Sequence, residues 1–326
     1  MGVIMRTKTI AVLILACIVG LGVFACKARK GNIGSATNPI RFYFMPLKEE
    51  AVFNANAPVI KNYLEQKTGL AITAVPAPDF LTIIKAFNNQ QADVAFMNTL
   101  GYLMAHDWSK TEAPLKTLYG DIYTSYRGEI IARVDRGINK PEDLTGKTIA
   151  FADPFSASGY LYAMKLLNDR GIKPAKTIFA GGHKKAVEMV YKGEVDAAAT
   201  YHSQPSGSGV GGDARNELLK QYPDVIAQVK IIALTDEIPN GPVAVRYDLS
   251  PEIKSKLVDA LLGFANTAEG RSVLSNLYNV TGLTKAGDND YSQVRDVIKK
   301  LGKKIEEVVP GGLTFYEQTI MPMMRD

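Results

Sequence analysis

Phe151-Ala152-Asp153-Pro154-Phe155-Ser156-Ala157-Ser158-Gly159-Tyr160 is the stretch on which the fold reading turns. An apolar run, Thr148 to Phe151, breaks at Asp153-Pro154. Two hydroxyl residues then open a helical pattern carried by Tyr160, Ala163, Met164 and Leu167 and closed at Gly171. Strand, turn and helix in that order are half of a βαβ unit. A helix start offers N–H groups without intrahelical partners and partial positive charge, so Ser156, Ala157 and Ser158 are placed to hold an oxyanion. A simpler role is also open to Ser156, that of capping its own helix.

The pattern repeats on the C-terminal side. Thr177 to Ala180 reads as a strand, Gly181-Gly182-His183 as the turn, and Ala186, Val187 and Val190 as a short helix before the strand Val195 to Ala199. His183 opens that helix, where the dipole favours a neutral imidazole donating one N–H. On the N-terminal side, strands are expected at Ile40–Phe44, Ala71–Val75 and Val94–Met97. Helical stripes at Val59, Ile60, Tyr63 and Leu64 and at Ile83 to Phe87 separate them. Thr99 opens the next helix, and Asp79-Phe80, Asn98 and Tyr126 are the other candidates from this half. Gly128–Val134 and, after the run Val229 to Leu234, Val243-Ala244-Val245 are extended segments expected to carry the chain out to the second series and back. Ser250-Pro251 then starts a helix presenting Ile253, Leu257, Leu261 and Phe264. The expected fold is α/β: two Rossmann-like lobes, residues 39–127 with 236–326 and residues 128–235, joined by a two-segment hinge. Ligand would sit at the strand ends facing the cleft. No internal repeat is visible in the sequence.

Residues 1–25 read as an export leader. Arg6 and Lys8 precede an apolar run from Ile10 to Ala25, and Val23-Phe24-Ala25-Cys26 is similar to a lipobox, with cleavage before Cys26 and lipid on its thiol. Ile14-Leu15-Ala16-Cys17 is a poorer second candidate, and an uncleaved anchor helix is the plainer alternative. Residues 26–38 then serve as a tether. Both cysteines, Cys17 and Cys26, precede the body, so it has no disulfide, thiolate nucleophile or thiolate metal site. Without Arg6 and Lys8 the formal charge falls from +5 to +3, too small on this length to suggest a nucleic-acid binder. His106, His183 and His202 lack the spacing of a metal set, and no cofactor or metal is expected. Ser206 to Gly212 is glycine-rich but lacks the Lys-Ser/Thr of a phosphate-binding P-loop, and reads as a loop.

Taken together, Ala77-Pro78-Asp79-Phe80, Ala92-Asp93-Val94-Ala95-Phe96, Leu144-Thr145-Gly146-Lys147, Asp153 to Tyr160, Gly181-Gly182-His183, Val195-Asp196-Ala197-Ala198 and Ile238-Pro239-Asn240-Gly241-Pro242 make the chain resemble the phosphate/phosphite/phosphonate substrate-binding proteins of ABC importers. The resemblance implies a type II periplasmic-binding fold and binding without catalysis. It also implies a permease and ATPase as partners, a monomeric extracytoplasmic protein, and contact with the membrane only through its lipid. It gives Ser156, Ser158 and His183 the anion's oxygens and gives Tyr126 a part in closure. Ala157 departs from the family's Ser-Thr-Ser form. Phe80 stands where aminophosphonate binders have tyrosine, and neither Thr200 to Ser203 nor Pro239 to Gly241 supplies a carboxylate for a ligand amine. A phosphate, phosphite or small alkylphosphonate is therefore the expected ligand, with Asn98 or Asn240 as acceptor for a protonated ligand oxygen. A sensor subunit of a two-component system and a thiamine-phosphate-type binder are the alternatives.

Overall fold

The computed structural model describes residues 31–46, 49–120, 122–203, 212–309, 312 and 316–317. The leader, Cys17 and Cys26, most of the glycine-rich segment 206–212 and most of the C-terminal tail lie outside the described residues.

Eleven strands among the described residues form two sheets. They are β1 Ile40–Phe44, β2 Ile72–Pro76, β3 Val94–Phe96, β4 Glu112–Leu118, β5 Ser125–Arg133, β6 Thr148–Phe151, β7 Lys176–Phe179, β8 Ala197–His202, β9 Val229–Pro239, β10 Pro242–Val245 and β11 Gly282–Lys285. The helices are α1 Glu50–Thr68, α2 Phe80–Asn88, α3 Thr99–Ser109, α4 Tyr162–Asp169, α5 His183–Tyr191, α6 Val225–Gln228, α7 Pro251–Ala265, α8 Ala268–Tyr278, α9 Ser292–Lys300 and α10 Ile305–Val308. The first sheet runs β11-β4-β10-β3-β1-β2 and the second β7-β6-β8-β5-β9. Read from opposite ends, β4-β10-β3-β1-β2 and β9-β5-β8-β6-β7 share one pattern. In each, three strands run parallel, and the next, β10 or β5, runs antiparallel to both its neighbours, so that β4 or β9 beyond it points with the first three again. The backbone thus carries a repeat that the side chains conceal.

Strand alternation explains the packing. Ile40, Phe42 and Phe44 of β1 point to one face, where Phe42 stacks on Phe96 with ring centroids 5.3 Å apart. That face is covered by Ala57, Ile60 and Leu64 of α1 and by Leu257, Leu261 and Phe264 of α7. Each such side chain, fully buried, contributes about 1.5–3 kcal/mol. A second cluster joins Ile83 and Phe87 of α2 and Leu100 and Leu103 of α3 to Ile130, Ile149, Phe151 and Leu167 around the second sheet. The two sheets therefore share apolar packing. A third cluster, under α5, covers the other face of the second sheet.

The chain passes between the sheets twice, from β4 to β5 and from β9 to β10. The second passage, Asn240-Gly241, is tightly held. The Asn240 amide donates to the carbonyls of Thr117 at 2.9 Å and Tyr123 at 2.8 Å. Tyr291 donates its hydroxyl to the Asn240 carbonyl at 3.1 Å. This commits the Asn240 nitrogen to the passage, while its Oδ1 is buried without a partner. A Cβ on Gly241 would lie 2.2 Å from the Met97 carbonyl oxygen, so no larger residue fits without moving backbone. Gly241→Ala is expected to lower stability by about 1–3 kcal/mol, read from the urea midpoint. An unchanged midpoint would show that the passage yields freely.

Candidate functional site

Two helix starts of the second sheet meet above the ends of β6 and β8. After β6, the Asp153 carboxylate accepts the Phe155 N–H at 2.7 Å and sets the turn. Ser156 then caps a single π-helical turn, Ala157–Leu161, its hydroxyl accepting the Gly159 N–H at 2.9 Å. Such turns, with i→i+5 bonds, recur at functional positions because they displace the side chains that follow. After β7, Gly181 and Gly182 take φ of +87° and +143°, conformations strained for any other residue. Both donate their N–H groups to the Ala152 carbonyl, at 3.0 and 2.7 Å, and this fixes where His183 enters α5.

His183 Nε2 lies 3.3 Å from Ser156 Oγ, and its Nδ1 lies 2.8 Å from Thr200 Oγ1 on β8. The ring slots against Gly159, where a Cβ would sit 3.0 Å from His183 Cε1. Thr200 is fully buried, Ser158 almost so, and Ser156 and His183 keep some exposure. Histidine bases in hydrolytic triads are oriented by a carboxylate that stabilises the imidazolium. A threonine hydroxyl in that place supplies no such charge. When Thr200 donates to Nδ1, Nε2 carries the ring hydrogen toward Ser156 Oγ.

The first sheet contributes the opposite wall. Asn98 caps α3, its Oδ1 accepting the Gly101 N–H at 2.7 Å, and its Nδ2 donates across to the Phe155 carbonyl at 3.0 Å. Both ends of the amide are thereby engaged. Phe80, the first residue of α2, faces Phe155 with ring centroids 5.9 Å apart. Tyr126, which reaches the site from β5 of the second sheet, shares a hydrogen bond with Ser158. Burial pushes its phenol up and the Ser158 contact opposes that, so the group is a neutral donor. Thr99 is buried, with its hydroxyl donated to the Pro239 carbonyl at 2.7 Å. It braces the second passage between the sheets and has no hydroxyl hydrogen left to offer. Ala157 occupies the first position of the π turn and is buried.

The structure brings Phe80, Asn98, Tyr126, Ser156, Ser158 and His183 together at one place. Sequence reasoning did not single out Thr200, Phe155 or Tyr119 as site residues. Tyr119 lies close enough to Tyr126 and Tyr201 to raise their phenols further, and Tyr201 meets the His183 ring edge-on at 5.0 Å. No sequence motif marks Thr200 or Tyr119, which reach the site from a strand and a passage, and Phe155 stands unremarked inside the motif, just before the Ser156 cap.

A family profile described as "ABC transporter, phosphonate, periplasmic substrate-binding protein" matches residues 42–291. The chain belongs to this family. The Phosphonates-binding periplasmic protein of Escherichia coli K12 is 26% identical over 221 residues, 66% of this chain and 62% of that protein. This chain thus spans less than two thirds of that relative. The Phosphate-import protein PhnD of Mycolicibacterium smegmatis is 26% identical over 269 residues, 76% of this chain and 80% of that protein. Among solved structures, a binding-protein component of an ABC phosphonate transporter from Pseudomonas aeruginosa superposes with a TM-score of 0.64. It is 23% identical, over 79% of this chain and 85% of that one. PhnD1 from Prochlorococcus marinus, in complex with methylphosphonate, gives 0.66 at 16% identity, over 81% of this chain and 98% of that one. The fold is the two-lobed type II periplasmic-binding architecture expected from the sequence, and the family is one of transport binding proteins rather than enzymes. No helix among the described residues is long and apolar enough to cross a membrane.

Proposed function

We propose that the chain is an extracytoplasmic solute-binding lipoprotein of an ABC importer, anchored through Cys26. Its ligand is a small phosphorus oxyanion held between the two sheets. The observation that carries this reading is the meeting of Ser156 and His183, 3.3 Å apart, at two helix starts. A tetrahedral anion there accepts hydrogen bonds from the two serine hydroxyls, from Nε2–H of His183 and from Tyr126, in the field of two helix N-termini. Lobe one, expected as residues 39–127 and 236–326, and lobe two, expected as residues 128–235, hinge at the two passages, with β5 and β9 taken whole into lobe two. The Asn98–Phe155 hydrogen bond joins the two lobes and belongs to the closed form. Ligand adds its own contacts to both lobes and so stabilises the closed form. The closed form is then what a permease and its ATPase recognise.

The ligand's substituent meets the Phe80–Phe155 pair, which offers no charge. Buried without a carboxylate, an ammonium is costly, so aminoalkylphosphonates bind poorly. Phosphate, phosphite and methylphosphonate remain, in keeping with a relative named for phosphate import and a neighbour of the same fold in complex with methylphosphonate. Thermal shift and calorimetry on the purified chain test the reading, with phosphate, phosphite, methylphosphonate, 2-aminoethylphosphonate, sulfate and thiamine phosphate. A ligand at a hundredfold excess over Kd adds about 2.7 kcal/mol to stability. One of the first three is expected to raise Tm, and 2-aminoethylphosphonate is not. A response only to thiamine phosphate, or to none of the six, would overturn the assignment.

A further inference from the structure

Behind the anion site, on the α5 side of the second sheet, lies a polar cluster that the binding reading does not use. Glu129 of β5 has no exposed side-chain surface, and its Oε1 has no hydrogen-bond partner. Its Oε2 lies 3.2 Å from Nδ1 of His202, at the end of β8. His202 forms a backbone bridge with Asp213, and ligand-type atoms of Glu129, His202 and Asp213 all lie within 4.8 Å of one another. Arg215 grips Asp213 from the far side, Nε to Oδ1 at 2.8 Å and Nη2 to Oδ2 at 2.8 Å, and also donates to the Val229 carbonyl at 2.6 Å.

A buried carboxylate with one bare oxygen is an expensive feature. Arg215 is committed to Asp213 and to the chain, and His202 reaches only one of the two Glu129 oxygens. What satisfies the bare oxygen must enter from the His202 side, since Asp213 is buried and His202 keeps partial exposure. We propose that Glu129, His202 and Asp213 form a binding site for a divalent transition-metal ion of the zinc type, with water completing the shell.

The donor set selects the class of ion. One imidazole nitrogen with two carboxylates suits zinc, whereas calcium and magnesium take oxygen ligands. Donors around one tetrahedral zinc sit roughly 3.4 Å apart. The His202–Glu129 pair is already at that spacing, and Asp213 needs a modest inward turn. Arg215 opposes the cation by its charge, but it also orients the Asp213 carboxylate as outer partners of metal ligands do. The sequence offered no such set, because its members come from three separate segments and only one is a histidine. Glu129 pairs directly across from Thr200, whose hydroxyl holds His183. An ion here would brace the strand pair that supports the anion-binding histidine.

The test uses the full chain without a histidine tag, stripped with EDTA, dialysed and titrated with zinc chloride. Thermal shift and retained metal by atomic emission are the readouts. Wild type is expected to gain about 3–8 °C in Tm at a hundredfold excess over Kd. His202→Ala and Glu129→Gln are expected to lose the gain, and His106→Ala to keep it. Cys17 and Cys26 bring thiolates of their own, so the comparison between variants decides, not stoichiometry alone. Should His202→Ala fail to fold by circular dichroism, Glu129→Gln, which conserves shape, decides by itself. An equal zinc response in folded Glu129→Gln and wild type, or none in wild type, overturns the proposal.

Discussion

Asp93→Ala is expected to destabilise the fold by about 3–5 kcal/mol, the loss seen when one partner of a buried ion pair is removed. Asp93 is fully buried before β3. One carboxylate oxygen accepts the Arg41 N–H of β1 at 2.8 Å, and the other meets Arg246 at 3.0 Å just past β10. A single side chain therefore ties together three strands, one of which arrives only after the second sheet is complete. Without it, Arg246 stays buried with only Asp248, at 2.5 Å, to offset its charge. Asp196 provides the control. It stands before β8 as Asp93 stands before β3, and it accepts the Thr148 N–H of β6 at 2.8 Å. No buried arginine among the described residues pairs with it, so Asp196→Ala is expected to cost only about 1–2 kcal/mol. Urea unfolding of the two variants beside wild type measures both. Equal losses would mean that the Arg246 pair adds nothing beyond the strand-start hydrogen bond that both aspartates make.

The two aspartates also show what the sequence did and did not reveal. Gln91-Ala92-Asp93-Val94-Ala95-Phe96 and Glu194-Val195-Asp196-Ala197-Ala198-Ala199 read simply as strands with a leading acid. Their common task is visible only once β1 and β6 lie beside them. Elements with a strong local signal were legible: the β1 alternation, the α1 stripe, and helix starts marked by Ser156, His183 and Ser250. Elements whose signal is tertiary were not. β4 contains Pro114, which argues against a central strand. The register between β10 and β4 shifts between Val243 and Val245, and that irregularity lets the proline stand between β10 and β11. β11, only Gly282–Lys285, is too short to show a period. The site divides in the same way. Residues at helix starts announced themselves, whereas Thr200 and Glu129 reach their partners from mid-strand, where a polar residue looks no different from one facing solvent. The π turn at Ala157–Leu161 was read as ordinary helix, since its hydrogen-bond pattern has no composition of its own.

Ser156→Ala is expected to weaken anion binding about 10- to 100-fold, from the 1.5–3 kcal/mol that a hydrogen bond to a charged group contributes. The same change removes the cap on Gly159, so about 1 kcal/mol of stability is lost in the absence of ligand. Calorimetry at a temperature well below Tm separates the two effects. His183→Ala is expected to match that loss of affinity without the capping penalty, because Gly182, not His183, stands at the cap position of α5. The double variant carries the sharper test. Ser156 and His183 are in contact, and a residue that holds the same ligand oxygen as its neighbour cannot be removed twice. If they act as one cradle, Ser156→Ala in the His183→Ala background costs clearly less than it does in wild type. Strict additivity would assign them to different oxygens and leave each helix start binding by itself. If neither single variant changes affinity, the anion is not held at this meeting of helix starts, and the fold's ligand must be sought elsewhere between the sheets.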